Sequence, residues 1–173
     1  MQQQQQRMAP GAGAGAPPPG ALRGAMRAGE DSADHVYLTL TVGDTLCGVP
    51  VLAVRDVLTS QAITRIPLAP AEVAGSLNLR GRIVTAIDLR RRLGLSASAA
   101  DATSMSVVVE RDGELYSLLV DHVGDVVPLP LAGRAAKPPT LDPLWREVAA
   151  DVHRLEDRLV ILLDVERVLA IGG

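Results

Sequence analysis

The sequence predicts a mainly β protein made of two related small β units. Three observations carry this prediction. Apolar residues recur at a period of two in short runs closed by Gly, Pro or Asp. The chain repeats itself at long range, and its helical patterns are short and follow hairpins. Short strands at this spacing favour small barrels over a sandwich.

Residues 1–33 precede the first unit. Gln2 to Gln6 form a polar run, and Gly11 to Gly20 alternate Gly, Ala and Pro. Such a segment buries too little apolar surface to offset the entropy of ordering it, so it reads as a disordered low-complexity tail. It lacks the Gly-Lys-Ser/Thr ending of a phosphate-binding loop. A single globular region is expected over 34–173, with units at roughly 34–95 and 104–173 and exchange of strands between them allowed.

In order along the chain, Val36, Leu38, Leu40 and Val42 alternate with Tyr37, Thr39 and Thr41, a half-buried strand. Gly43-Asp44 turns the chain, and Leu46 to Val49 returns. Val51 to Leu58 reads as a short helix, because Val51, Val54 and Leu58 share one face and Pro50 suits a helix start. Ile63 to Ile66 is a short strand stopped by Pro67. Val73 to Asp88 is a hairpin turning at Arg80-Gly81, where Gly81 supplies the backbone freedom of a tight turn. Asp88 caps a short helix, Leu89 to Leu93, closed by Gly94. Residues 95–103 are small and polar, a loop between the halves.

Met105 to Glu110 and Leu115 to Val120 form a hairpin around Asp112-Gly113, and Val126 to Leu131 is a strand with Pro128 and Pro130 near an edge. Residues 132–146 read as a Pro-rich connection carrying Trp145, a cover for the second unit. Val148 to Leu155 and Arg158 to Leu163 form the last hairpin. Asp164 caps a final helix, Val165 to Ala170, ended near Gly172.

The halves align. Asp44 to Val49 falls on Gly113 to Leu118 at a shift of 69, and Leu79 to Val84 falls on Leu155 to Val160 at a shift of 76. Asp88 then falls on Asp164. At equivalent hairpin tips one half carries Arg80-Gly81 and the other Glu156-Asp157. Since the turn itself does not dictate charge, the first tip reads as a surface made for a partner.

Composition narrows the function. The chain has 173 residues, is 47% hydrophobic and 21% charged, and carries a net charge of −3. That balance gives no electrostatic footprint for nucleic acid. The lone Cys47 excludes an internal disulfide and fits a reducing compartment. No apolar run approaches the ~20 residues that span a bilayer, and the first residues lack the apolar stretch of a signal peptide. The expectation is a cytoplasmic protein with no direct membrane insertion.

The candidate chemistry is sparse. His35, His122 and His153 show no ligand spacing with Cys47, so no metal or other cofactor is expected. Cys47 in a strand fits a small core residue better than a nucleophile. Asp88 and Asp164 fit helix caps better than paired acid–base carboxylates, since each precedes a helical pattern directly. Arg90-Arg91-Arg92 fits a solvated helix face better than a nucleic-acid patch. Nothing assembles a nucleophile, a base and an oxyanion donor, so no enzyme is expected.

Val54-Arg55-Asp56-Val57, Ile63-Thr64-Arg65-Ile66-Pro67, Gly75 through Asn78-Leu79-Arg80-Gly81, and Ile87-Asp88-Leu89-Arg90 together resemble the CheW family of chemotaxis coupling proteins. Asp121 after Leu119-Val120, and Leu159 to Asp164 before Val168-Leu169, match its second half. The resemblance covers about residues 35–170. It implies two small SH3-like five-stranded β-barrels packed together, with short helices. It also implies a non-enzymatic adaptor, a monomer on its own, that joins the histidine kinase CheA, through its regulatory domain, to the cytoplasmic tips of methyl-accepting chemoreceptors in arrays at the membrane.

In the family the arginine of Asn-Leu-Arg-Gly and the acidic residue of Val-x-Glu-Val contact the receptor. These correspond to Arg80, flanked by Asn78 and Leu79, and to Asp56, which is one methylene shorter than the usual Glu. Val54, Val57 and Gly75 match further positions of partner contact, and Gly81, Asp88 and Asp164 match turn and capping positions. Two other readings are a coupling protein of a pathway for pili or development, and a small-barrel nucleic-acid binder using Arg80, Arg82 and Arg90 to Arg92.

Overall fold

The computed structural model describes residues 35–59, 61–96 and 105–171. The low-complexity head at 1–33, most of the 95–103 loop and the helix end near Gly172 lie outside the described residues. The strands are β1 (Val36–Val42), β2 (Thr45–Pro50), β3 (Val54–Leu58), β4 (Val73–Leu79), β5 (Arg82–Asp88), β6 (Met105–Arg111), β7 (Glu114–Val120), β8 (His122–Pro128), β9 (Arg134–Ala135), β10 (Ala149–Leu155) and β11 (Arg158–Leu163). Among the described residues three short helices follow strands or loops: α1 (Leu89–Arg92), α2 (Pro143–Val148) and α3 (Val165–Val168).

The strands form two sheets, one of five strands in the order β3-β6-β7-β5-β4 and one of six in the order β8-β1-β2-β11-β10-β9. The resemblance implied five strands in each unit; the two-residue β9, paired to β10 through His153↔Arg134, adds the sixth. Each sheet draws on both halves of the sequence. The hairpin β6–β7 enters the sheet of β3, β4 and β5, while β1–β2 enters the sheet of β8 to β11. Parallel pairings seal the exchange, with Thr85 opposite Tyr116 between β5 and β7 and Leu46 opposite Val160 between β2 and β11.

The main core lies between the sheets. Leu38, Leu40 and Val49 from one sheet meet Ile87, Val107 and Leu118 from the other, joined by Trp145 of α2 and Val168 of α3. Trp145 is therefore part of the shared core rather than a cover for the second unit. Strand β1 is buried along nearly its whole length rather than half-buried. Leu38 and Leu40 face the shared core, while Tyr37, on the opposite face, packs with Leu129, Val160 and Leu162.

Four further expectations change. Val51–Leu58 is a 3-10 turn, Val51–Ala53, followed by strand β3, not a helix. Its register against β6 shifts between Val54 and Asp56, so Arg55 is a bulge residue and Val54 and Val57 both turn inward. A three-residue apolar spacing in a bulged strand mimics a helical one. The Ile63–Ile66 strand reduces to one bridge, Thr64↔Ser76. The strand at Val126–Leu131 begins earlier, at His122, and ends at Pro128, because β8 pairs with β1 from Thr41↔His122 onward. The connection 132–146 contains β9 and α2. Asp142 caps α2 by accepting from the Leu144 N–H, with Pro143 at the first helical position.

Candidate functional site

The hairpin β4–β5 closes with Leu79 opposite Arg82, leaving Arg80-Gly81 as a two-residue loop. Arg80 has φ +52° and Gly81 φ +86°. Positive φ at both positions marks a type I′ turn, whose twist matches that of the strands. Arginine is a strained occupant of the first position. Asn78 supports it, its Oδ1 accepting the Gly81 N–H at 2.9 Å.

Asp56 reaches the tip from the far side of the sheet. Strand β3 is one edge of the five-stranded sheet and β4 the other. The sheet is curled so that Arg80 Nη2 lies 3.4 Å from Asp56 Oδ2. The other carboxylate oxygen accepts the Val57 N–H at 2.9 Å, fixing the Asp56 rotamer. The Arg80 side chain is 82% exposed and that of Asp56 27%. Such a pair contributes roughly 0–1 kcal/mol to folding. Its effect is positional: the guanidinium is held out from the tip with most of its five N–H donors facing solvent.

The surroundings suit an interface. Ile83, opposite Asn78 one pair in from the loop-closing Leu79 and Arg82, is 73% exposed. Arg55, the bulge residue, is held by Glu110 at 2.8 Å and by the Leu52 carbonyl at 2.9 Å. An exposed isoleucine beside a presented arginine is an apolar contact with a charge-assisted hydrogen-bonding group at its rim. Ile83 was not singled out from the sequence, although its alternation with the inward Val84 and Ala86 puts it on the outer face.

The structure brings Asp56, Asn78, Arg80 and Gly81 together at this tip. Leu79 is half-buried against Leu77 and Val84. Val54 is buried in the shared core, and Val57 packs against it. Gly75 is buried with φ +148°, and a Cβ there would lie 2.1 Å from the Thr64 carbonyl oxygen. It is the position where the segment leaving β3 crosses onto β4, fastened by Thr64 N–H to Ser76 O and Ser76 N–H to Thr64 O, both 2.8 Å.

Asp88 and Asp164 stand apart from the tip, Asp88 at the end of β5 in the five-stranded sheet and Asp164 just after β11 of the six-stranded one. Asp88 Oδ1 accepts from the N–H groups of Arg90 and Arg91, and Asp164 Oδ1 from those of Glu166 and Arg167.

The arginine run is a solvated face only at Arg91, which is exposed. Arg90 grips Asp121, and Arg91 pairs with Asp88. Arg92, 7% exposed, donates to the carbonyls of Val168 and Arg167. These partners leave the run little charge to offer a phosphate backbone. Cys47 is buried, and burial pushes its thiol far above the usual range. Among the described residues no group of three His, Cys, Asp or Glu side chains is placed to hold a metal ion.

Comparison with known proteins places this arrangement. The family model described as a CheW-like domain matches residues 36–171. A chemotaxis protein CheW from Klebsiella aerogenes is 29% identical over 134 residues, covering 78% of this chain and 81% of that protein. A chemotaxis protein CheW from Rhizobium meliloti is 29% identical over 131 residues, covering 76% and 84%. The crystal structure of the scaffolding protein TtCheW from Thermoanaerobacter tengcongensis superposes with a TM-score of 0.71 at 26% identity, over 81% of this chain and 95% of that one.

Proposed function

The chain belongs to the CheW-like domain family, and from that premise we propose that it is a coupling adaptor of chemotaxis signalling, a scaffold rather than an enzyme. Its partners on this reading are the cytoplasmic tips of methyl-accepting chemoreceptors and the regulatory domain of the histidine kinase CheA. It acts in the cytoplasm as a monomer that joins arrays through those partners. Among the described residues no helix is long and apolar enough to cross a membrane.

The observation that carries the receptor half of this reading is the Arg80–Asp56 pair at the hairpin tip, with Ile83 exposed beside it. A guanidinium fixed by a neighbouring carboxylate loses less freedom on binding, and it offers two parallel donors to a carboxylate or carbonyl on a receptor helix. The coupling itself is geometric. A rigid scaffold that binds receptor and kinase at once converts the second encounter into an intramolecular one and fixes their relative orientation.

Sedimentation tests the reading. Purified protein added to receptor cytoplasmic fragments and CheA should carry the kinase into the pelleted receptor assembly. Kinase that remains in the supernatant at every protein concentration would refute the adaptor role.

A further inference from the structure

We infer that the receptor surface extends along β3 to Arg55, which takes a second carboxylate on the receptor helix, about two turns from the one that Arg80 takes; this rests on the adaptor reading above and deepens its receptor half. The bulge at Arg55 carries it. A regular strand sends successive side chains to opposite faces. Here the register against β6 shifts between Val54 and Asp56. Val54 and Val57 pack into the shared core, so the two residues between them are left on the outer side together. Bulges re-aim side chains in this way beside functional sites. Asp56 is occupied by Arg80. Arg55 stands next to it with its side chain 48% exposed.

Arg55 is also held in place. Its Nε donates to Glu110 Oε1 at 2.8 Å, and its Nη1 donates to the Leu52 carbonyl at 2.9 Å. Folding gains little from an exposed pair of this kind, because ordering two long side chains offsets most of the attraction. The two anchors instead immobilise the guanidinium before a partner arrives, which lowers the entropy lost on binding. Two of its five N–H donors are engaged, and the other three have no acceptor among the described residues. Leu52, whose carbonyl holds Arg55, is itself 42% exposed. Each of the two arginines thus has an exposed aliphatic neighbour, Leu52 for Arg55 and Ile83 for Arg80.

Spacing defines the partner. Val54 pairs with Val109, so Glu110 lies level with the chain just before Val54. Glu110 and Leu52 therefore draw the Arg55 guanidinium back toward the start of β3, while Arg80 meets the strand at Asp56. At ~3.3 Å per strand residue and ~2 Å per residue of the 3-10 turn, Leu52 and Asp56 lie roughly 10 Å apart. An α-helix rises about 10.5 Å in seven residues, which also returns to the same face. The two guanidiniums match a helix that carries carboxylates seven residues apart. A helix with one carboxylate satisfies Arg80 alone, so Arg55 selects among receptor helices.

The test is a set of double-mutant cycles. Parent, Arg55→Gln, Arg55→Glu and Arg80→Glu are titrated with a purified receptor cytoplasmic fragment, with the same fragment carrying Lys in place of each Glu or Asp in turn, and with the CheA regulatory domain. Arg55→Gln should melt within a few degrees of the parent, lose about fivefold or more in receptor affinity and keep kinase affinity. Arg55→Glu should lose about tenfold or more, and one charge-reversed fragment should recover most of that loss. The recovering position should lie about seven residues from the one that couples to Arg80. Arg55→Gln keeps the comparison valid if the reversed charge beside Glu110 unfolds the strand. Arg55 variants that bind the receptor like the parent while Arg80→Glu is weakened overturn the inference and leave the adaptor reading standing. A loss that falls on the kinase instead, or one that no charge-reversed fragment recovers, overturns it equally. Arg55 and Arg80 variants that all bind the receptor like the parent overturn the receptor half of the adaptor reading as well.

Discussion

Arg90 and Asp121 form a two-pronged ion pair that clasps the two sheets together. Nε meets Oδ1 at 2.8 Å and Nη2 meets Oδ2 at 2.9 Å, and Oδ2 also accepts the Gly43 N–H at 2.7 Å. Arg90 follows β5 in the five-stranded sheet, Gly43 turns β1 into β2 in the six-stranded sheet, and Asp121 sits where the chain passes from β7 to β8. One carboxylate thereby fixes three elements from both sheets. Asp121→Ala should cost about 2–3 kcal/mol, because it strands a part-buried guanidinium and a backbone donor. Denaturant unfolding checks this. The hydrogen bond that Arg90 donates to Asp121 leads the causes that hold its guanidinium above its ordinary value. With Asp121 ionised, Arg90's share of the clasp is therefore complete below that ordinary value and falls as pH rises through the raised folded one.

Gly75→Ala should be among the most damaging single substitutions in the chain. A methyl group would overlap the Thr64 carbonyl at 2.1 Å and Ile63 Cγ2 at 2.8 Å, on a backbone that L side chains avoid. The expected loss is about 3 kcal/mol or more, measured as a fall in denaturation midpoint with an unchanged slope. A variant as stable as the parent would show that the Ile63–Thr64 crossing does not press on β4.

Stability should decline above about pH 9. The Cys47 thiol is raised from an ordinary value of 9.0 by burial, so the unfolded chain releases its proton at a lower pH than the folded one does. Stability from this group is complete below the ordinary thiol range and falls as pH rises through and beyond it. Tyr116 shifts the same way, first through burial and then through its hydrogen bond to Glu114. Cys47→Ala should flatten the alkaline slope, and native protein should resist thiol reagents until it unfolds.

Arg80→Gly should raise stability and lower function at once. Glycine accepts the φ +52° that strains arginine, a gain of about 1 kcal/mol, while the binding group disappears. Calorimetry beside a receptor-binding assay separates the two effects. A fall in melting temperature would mean that the Asp56 contact outweighs the strain.

The features legible in the sequence were local. The hairpins at Arg80-Gly81, Asp112-Gly113 and Glu156-Asp157 carry their own turn residues. The aspartates before α1 and α3 announce themselves because a cap is set by its own neighbours. What local pattern did not supply is long-range pairing. The parallel contacts Ile87↔Leu118 and Cys47↔Ile161 join the two halves, and no run of residues encodes them. The helix expected at Val51–Leu58 failed because a bulge at Arg55 imitates a helical period. That bulge belongs to the site, since it changes the alternation just before Asp56. Arg90 and Arg92 looked solvated, like Arg91, because helix spacing says nothing of partners 30 or more positions away. Arg80 and Asp56 were both picked out from motif, yet their contact depends on the curl that brings the opposite edges of one sheet together.

The most direct test of the central claim is a titration of receptor cytoplasmic fragment with parent and Arg80→Glu protein, with thermal melts run alongside. The Arg80–Asp56 surface predicts melting within a few degrees of the parent and receptor affinity reduced about tenfold or more, since an interface arginine contributes roughly 2 kcal/mol where a rim charge contributes little. Arg80→Glu protein that binds the receptor fragment as tightly as the parent would contradict it.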